Sequence, residues 1–132
     1  MSSRPVVIAP DPFRAVIPHL REVLNGVEVG VTMPTGPVDR YVWVRRVSTG
    51  SDAFVIDRPS LDFTVFGSDF SERVELANLV RGHVLAMDGT YSGVRVFGAT
   101  EVQGPTELPD PNVDDRTVTL MTIQISTRSS AL

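Results

Sequence analysis

The chain has 132 residues, 16 acidic against 12 basic, a formal net charge of −4 and no cysteine, and every basic residue is an arginine. That length suits one domain with a core of its own. The missing cysteine excludes disulfide scaffolds, thiolate metal sites and cysteine nucleophiles, and the missing lysine excludes a Walker-type nucleotide loop. The acidic balance also argues against gripping nucleic acid by phosphate neutralisation.

No stretch approaches the roughly 18 apolar residues that a bilayer requires. Residues 1–10 read as an N-terminal arm. Its apolar run, 6–9, is bounded by Pro5 and Pro10 and is too short for a secretory signal, so the chain is expected to stay in the cytoplasm. Residues 11–26 predict a helix, because Phe13, Val16, Ile17, Leu20 and Leu24 recur on one face. Asp11 suits the N-cap, Pro12 the first turn and Gly26 the end. Pro18 should kink this helix or delay its start.

Residues 27–33 alternate Val27, Val29, Val31 and Met33 with polar or small neighbours, the period of a half-buried strand. The breaker-rich turn 34–37 then leads to a second strand, 40–47, read as its hairpin partner. A turn over 48–52 precedes a third strand centred on Leu61, Phe63 and Val65. Asp69 and Glu72 have the spacing of a capping box, opening a helix with Phe70, Val74, Ala77, Val80 and Val84 as its apolar stripe. Two further strands are predicted at 94–102 and 117–127, with residues 128–132 as a tail. The order α-β-β-β-α-β-β predicts one α+β domain over 1–132, a mostly antiparallel four- to five-stranded sheet carrying two helices on one face.

A sheet covered on one face should be polar on the other. Here Tyr41 and Trp43 lie opposite Val42 and Val44, Val118 and Leu120 lie opposite Met121 and Ile123, and Phe66 and Phe97 fall on the uncovered side. Either the segment 51–60 or the N-terminal arm folds over this face, or the face binds a neighbouring subunit. The second reading makes Tyr41, Trp43, Phe66 and Phe97 interface anchors, with Arg45 and Arg46 bonding acidic neighbours.

Catalytic chemistry finds little support. His19 and His83 flank apolar helix stripes, positions that edge-of-core histidines commonly occupy. An enzyme would have to use one of them with a carboxylate such as Asp88; a ligand-binding module is a further alternative. No zinc spacing and no Gly-x-Ser-x-Gly occurs, and Gly89–Gly93 precedes a strand, so it offers no helix terminus to a phosphate. Residues 103–116 read as an acidic, proline-rich loop carrying Glu107, Asp110, Asp114 and Asp115. Their spacing is not that of a calcium loop. The loop is a solvated turn, a surface shown to a partner, or a negative rim past which DNA moves without sticking.

Three stretches resemble a known family. The first is 27–34 with Tyr41-Val-Trp-Val-Arg-Arg46; the second is 57–65 followed by Glu75-Leu-Ala-Asn-Leu-Val80. The third comprises 96–102, Gly104-Pro105, Pro109-Asp110 and Arg116 before a long strand. Together these are similar to tail terminator proteins of long-tailed, siphovirus-type phages, notably of high-GC hosts, over about residues 11–128. The turn after the second strand, often Gly-Gly in that family, is Ser48-Thr-Gly-Ser51 here. The resemblance implies a non-enzymatic virion protein without cofactor, assembled in the host cytoplasm and resident at the tail–neck junction. It implies a hexameric ring that caps the tail tube, ends elongation and joins the tail to the head. Its partners would be itself, the major tail tube protein and head-completion proteins, with genome DNA passing through unbound and no membrane involved. Another neck component, such as a head–tail joining protein, is the alternative.

Overall fold

The computed structural model describes residues 6–53 and 56–131. Its elements are β1 (Val7–Ile8), α1 (Pro12–Val23), β2 (Glu28–Gly30), β3 (Arg40–Ala53), β4 (Ile56–Gly67), α2 (Phe70–Leu85), β5 (Gly89–Tyr91), β6 (Val94–Pro109), β7 (Thr117–Arg128) and β8 (Ser130–Ala131). The main sheet has six strands in the order β2-β3-β4-β7-β6-β5, while β1 and β8 form a small antiparallel ribbon. All neighbours in the main sheet are antiparallel except β2 and β3, which run parallel. The fold is therefore α+β as expected, with a larger, mixed sheet in place of four or five antiparallel strands.

Both helices start where their caps predict. The Asp11 carboxylate accepts from the Phe13 amide at 3.0 Å, and Asp69 accepts from the Glu72 amide at 2.8 Å. Pro18 neither delays nor interrupts α1; it sits on the exposed side, where the carbonyl it leaves unbonded faces water. The helix ends into Asn25 and Gly26, both at positive φ. In α2 the buried face is Arg73, Leu76, Ala77, Val80 and Val84. Phe70 is not part of it: the ring is 64% exposed and lies beneath the Arg73 guanidinium.

The core lies between the helices and one sheet face. Val16, Leu20, Leu76 and Val80 pack there with Val42, Val44, Leu61, Phe63, Val65, Met121, Ile123 and Ile125. Burying these side chains contributes the main favourable term of folding, about 1.5–3 kcal/mol for each large one.

Four expectations are corrected. The strand read at 27–33 is only Glu28–Gly30, and it is no hairpin partner of β3. Beyond it, Tyr41 Oη donates to the Thr32 carbonyl at 2.6 Å and Trp43 Nε1 to the Val31 carbonyl at 3.1 Å, so β3 side chains take the place of a ladder. The turn placed at 48–52 is continuous β3, paired from Ser48↔Ser60 to Ala53↔Ile56. The loop placed at 103–116 begins only at Asp110, because β6 stays paired with β7 to Pro109↔Thr117, absorbing Pro105 in a register shift. Finally, Gly89–Gly93 does not merely precede a strand. It contains β5 and a two-residue turn, Ser92-Gly93, both at positive φ, between the paired Tyr91 and Val94. Residues 1–5 of the arm, 54 and 55 of the stretch considered as a cover, and residue 132 of the tail lie outside the described residues.

Candidate assembly surface

The helix-free face divides into a covered end and an open remainder. At the covered end Tyr41, Phe66 and Val118 form a small cluster with Val38 and Trp43. Tyr41 is 7% and Phe66 2% exposed, and their rings meet edge to face at 6.1 Å. These two predicted anchors are thus buried within their own chain. The cover is formed by segments 31–39 and 110–116. Asn112 Nδ2 donates to the Pro34 carbonyl at 3.1 Å, and the Arg116 guanidinium donates to the carbonyls of Val38 and Gly67, each at 2.9 Å.

The predicted acidic group separates in the same way. Glu107 belongs to β6 and stays open to solvent while accepting from Arg73 NH2 at 2.9 Å, Thr117 at 2.7 Å and Thr119 at 2.6 Å. Asp110 is buried and accepts from the Asn112 amide at 2.8 Å, closing a local turn. Asp114 and Asp115 are exposed, side by side on the 110–116 connection.

Burial pushes the Glu107 carboxyl up. The hydrogen bonds from Thr119 and Thr117, with the Arg73 guanidinium, outweigh that and hold it below its ordinary value of 4.5. A carboxyl with a lower pKa folded than unfolded adds stability that is complete above the unfolded value and fades as pH falls through the folded one. Glu107→Gln should therefore lose less stability than the native chain between about pH 5 and about pH 3. Urea midpoints across that range read the difference.

The open remainder is polar between two apolar margins. In its middle Arg45 bonds Asp62 at 3.1 Å, Thr122 donates to the other Asp62 oxygen, and the Arg45 guanidinium stacks 5.0 Å over Trp43. Arg46, on the same strand, points to the helix-bearing face beside Leu61 and pairs with Asp57 at 3.7 Å. The margins follow the two long outer strands. Since β2 pairs only with Tyr41–Trp43, and β5 only with Val94–Val96, β3 beyond Trp43 and β6 beyond Val96 carry no strand on their outer sides among the described residues.

The exposed apolar side chains concentrate there. Val31, Met33 and Val47 lie along the β3 flank, Phe97, Val102 and Leu108 along β6. Phe97 is roofed by the Arg95 guanidinium at 4.7 Å. Exposed apolar side chains along strand edges that lack a partner suit a binding surface. Of the residues singled out from sequence, Trp43, Arg45 and Arg46 thus share one flank and Phe97 occupies the other.

His19 meets Tyr91 edge to face at 4.7 Å, and among the described residues no hydrogen bond or ion pair joins either histidine to a carboxylate. Burial and the neighbouring His83 push the His19 pKa down, against an upward pull from Glu22.

A family model described as phage tail termination protein matches residues 9–131. The chain belongs to that family. It is accordingly a structural protein of the bacteriophage virion, a component of the tail. No curated protein matches the chain. Among the described residues of this tail termination family member, no helix is long and apolar enough to cross a membrane.

Proposed function

We propose that the chain closes into a ring, hexameric as its family resemblance implies, which caps the tail tube, stops its elongation and later joins the tail to the head. One observation supports the ring above all others: the molecule presents two unlike apolar flanks on opposite sides of one sheet. Unlike patches associate head to tail, and a head-to-tail contact closes into a ring when the rotation per copy divides the circle. The partners follow from that role: other copies, the major tail tube protein and head-completion proteins, with DNA passing through the lumen. Light scattering of the chain alone and with tail tube subunits tests it. A ring-sized species supports the reading, and a monomer under both conditions defeats it.

Trp43 serves this ring as a flank residue, half-buried and fastened at its indole nitrogen. Trp43→Ala should weaken assembly by about 2 kcal/mol per contact, roughly thirtyfold, and cost the isolated fold less. Concentration-dependent sizing beside a melting curve separates the two effects.

Asp114 and Asp115 supply the negative surface that faces a partner or the lumen. Replacing both with asparagine should leave the ring intact and impair head docking or DNA passage, since Asn also tolerates the positive φ of Asp115. Phage yield in complementation reads this directly, and an unchanged yield reduces the segment to a spacer.

A further inference from the structure

The two flanks match in more than hydrophobicity. In the sheet, Arg46 pairs with Leu61, Leu61 with Ile123 and Ile123 with Glu101, so Arg46 and Glu101 stand at one level on opposite sides. Each strand breaks register next to this level, on opposite sides of it, because β3 and β6 run in opposite directions. Val47 falls between Arg46 and Ser48, Val102 between Glu101 and Gln103. Each valine is the extra residue of a bulge, and each is exposed, 45% and 59%. A bulge re-aims a side chain and bends its strand, and conspicuous ones are built features of a sheet.

Strand direction is equally compatible. Because β3, β4, β7 and β6 alternate, β6 of one copy and β3 of a second copy in the same orientation run antiparallel. Their outer backbone groups can then bond as any antiparallel pair does.

Resting on the ring reading, we propose that neighbouring copies join by antiparallel strand addition, β3 of one on β6 of the next, aligned at this common level. The occupant of each edge is a second copy of this chain. The level alignment also brings Arg46 beside Glu101. Within the chain Arg46 pairs with Asp57, and Glu101 accepts from two Arg81 nitrogens at 2.5 and 2.9 Å. Across the junction these groups form the alternating row Asp57, Arg46, Glu101, Arg81. The bulges blunt the same edges against indiscriminate pairing, since a bulged strand accepts a partner only where its own irregularity is matched.

The absence of native cysteine makes the test clean. The full chain carrying both Arg46→Cys and Glu101→Cys is assembled, mildly oxidised and run without reductant. Directly opposite antiparallel residues hold their Cβ atoms about 4.5–5.5 Å apart, which a small shift brings to the separation a disulfide needs. A ladder of covalent multimers ending at the ring size is expected, with neither single variant forming it. A mixture of the two single variants should give dimers only. Rings of native mass without the ladder would overturn strand addition and leave the ring reading standing. Failure of the native chain to form any ring-sized species, alone or with tail tube subunits, would overturn both.

Discussion

Arg116→Ala is expected to destabilise the fold by about 3 kcal/mol. The guanidinium is largely buried and donates to two backbone carbonyls, those of Val38 and Gly67, with Asp39 and Asp110 each at 3.9 Å. Charge-assisted hydrogen bonds of this kind contribute about 1.5–3 kcal/mol each, and their removal leaves both carbonyls wanting a donor. The loss should be local as well as global, because Arg116 ties segments 31–39 and 110–116 to the end of β4, over the Tyr41–Phe66–Val118 cluster. Arg116→Lys should recover only part of it, since an ammonium lacks the planar fork that spans two acceptors. Trp43 is the single tryptophan and bonds the Val31 carbonyl, so its fluorescence reports on that cover. Denaturant unfolding followed at Trp43 measures both variants. An Arg116→Ala midpoint equal to the native one would show that the cover stays closed without the arginine.

Val47→Asp is expected to abolish assembly while sparing the monomer. The side chain is exposed in the isolated chain, and surface substitutions away from special features stay within about 0.5 kcal/mol. At the proposed junction the same change places an unpaired carboxylate between the joined strands. Burying an ionised group without a partner costs several kcal/mol, and every contact around the ring carries the cost. A tenfold loss per contact already corresponds to about 1.4 kcal/mol, so ring-sized species should vanish at micromolar concentration. Sizing shows the loss, and an unchanged melting temperature shows that the fold is not its cause. Normal rings from this variant would place the contact elsewhere.

The helices were legible because their signals are local. Asp11-Pro12 and Asp69 act within three residues of themselves, and the apolar stripe of α1 needs only its own period. The strand centres around Val42, Phe63 and Ile123 were legible for the same reason, through alternation. What escaped depends on distant partners. Residues 48–52 and 104–109 look like turns, rich in Ser, Gly or Pro, yet β4 and β7 hold them extended, since strand formation follows tertiary context more than composition. Bulges at Val47, Phe97 and Val102 shift side chains that alternation assigns to a face.

The functional groups divided along the same line. Trp43, Arg45, Arg46 and Phe97 stand on open surface, while Tyr41 and Phe66 are covered by segments that no local pattern would send there. Glu107 became a structural anion because Arg73, 34 residues away, packs against it. The shared level of Arg46 and Glu101 emerges only when the strand order is known.

The central claim is that this protein ends tail tube growth, and tube length measures it most directly. Purified tail tube subunits are polymerised with and without the protein, and lengths are read by electron microscopy. The account predicts tubes arrested at a defined length, each bearing a ring at one end, where the untreated sample keeps elongating. Equal length distributions in the two samples, with bare tube ends, would contradict it.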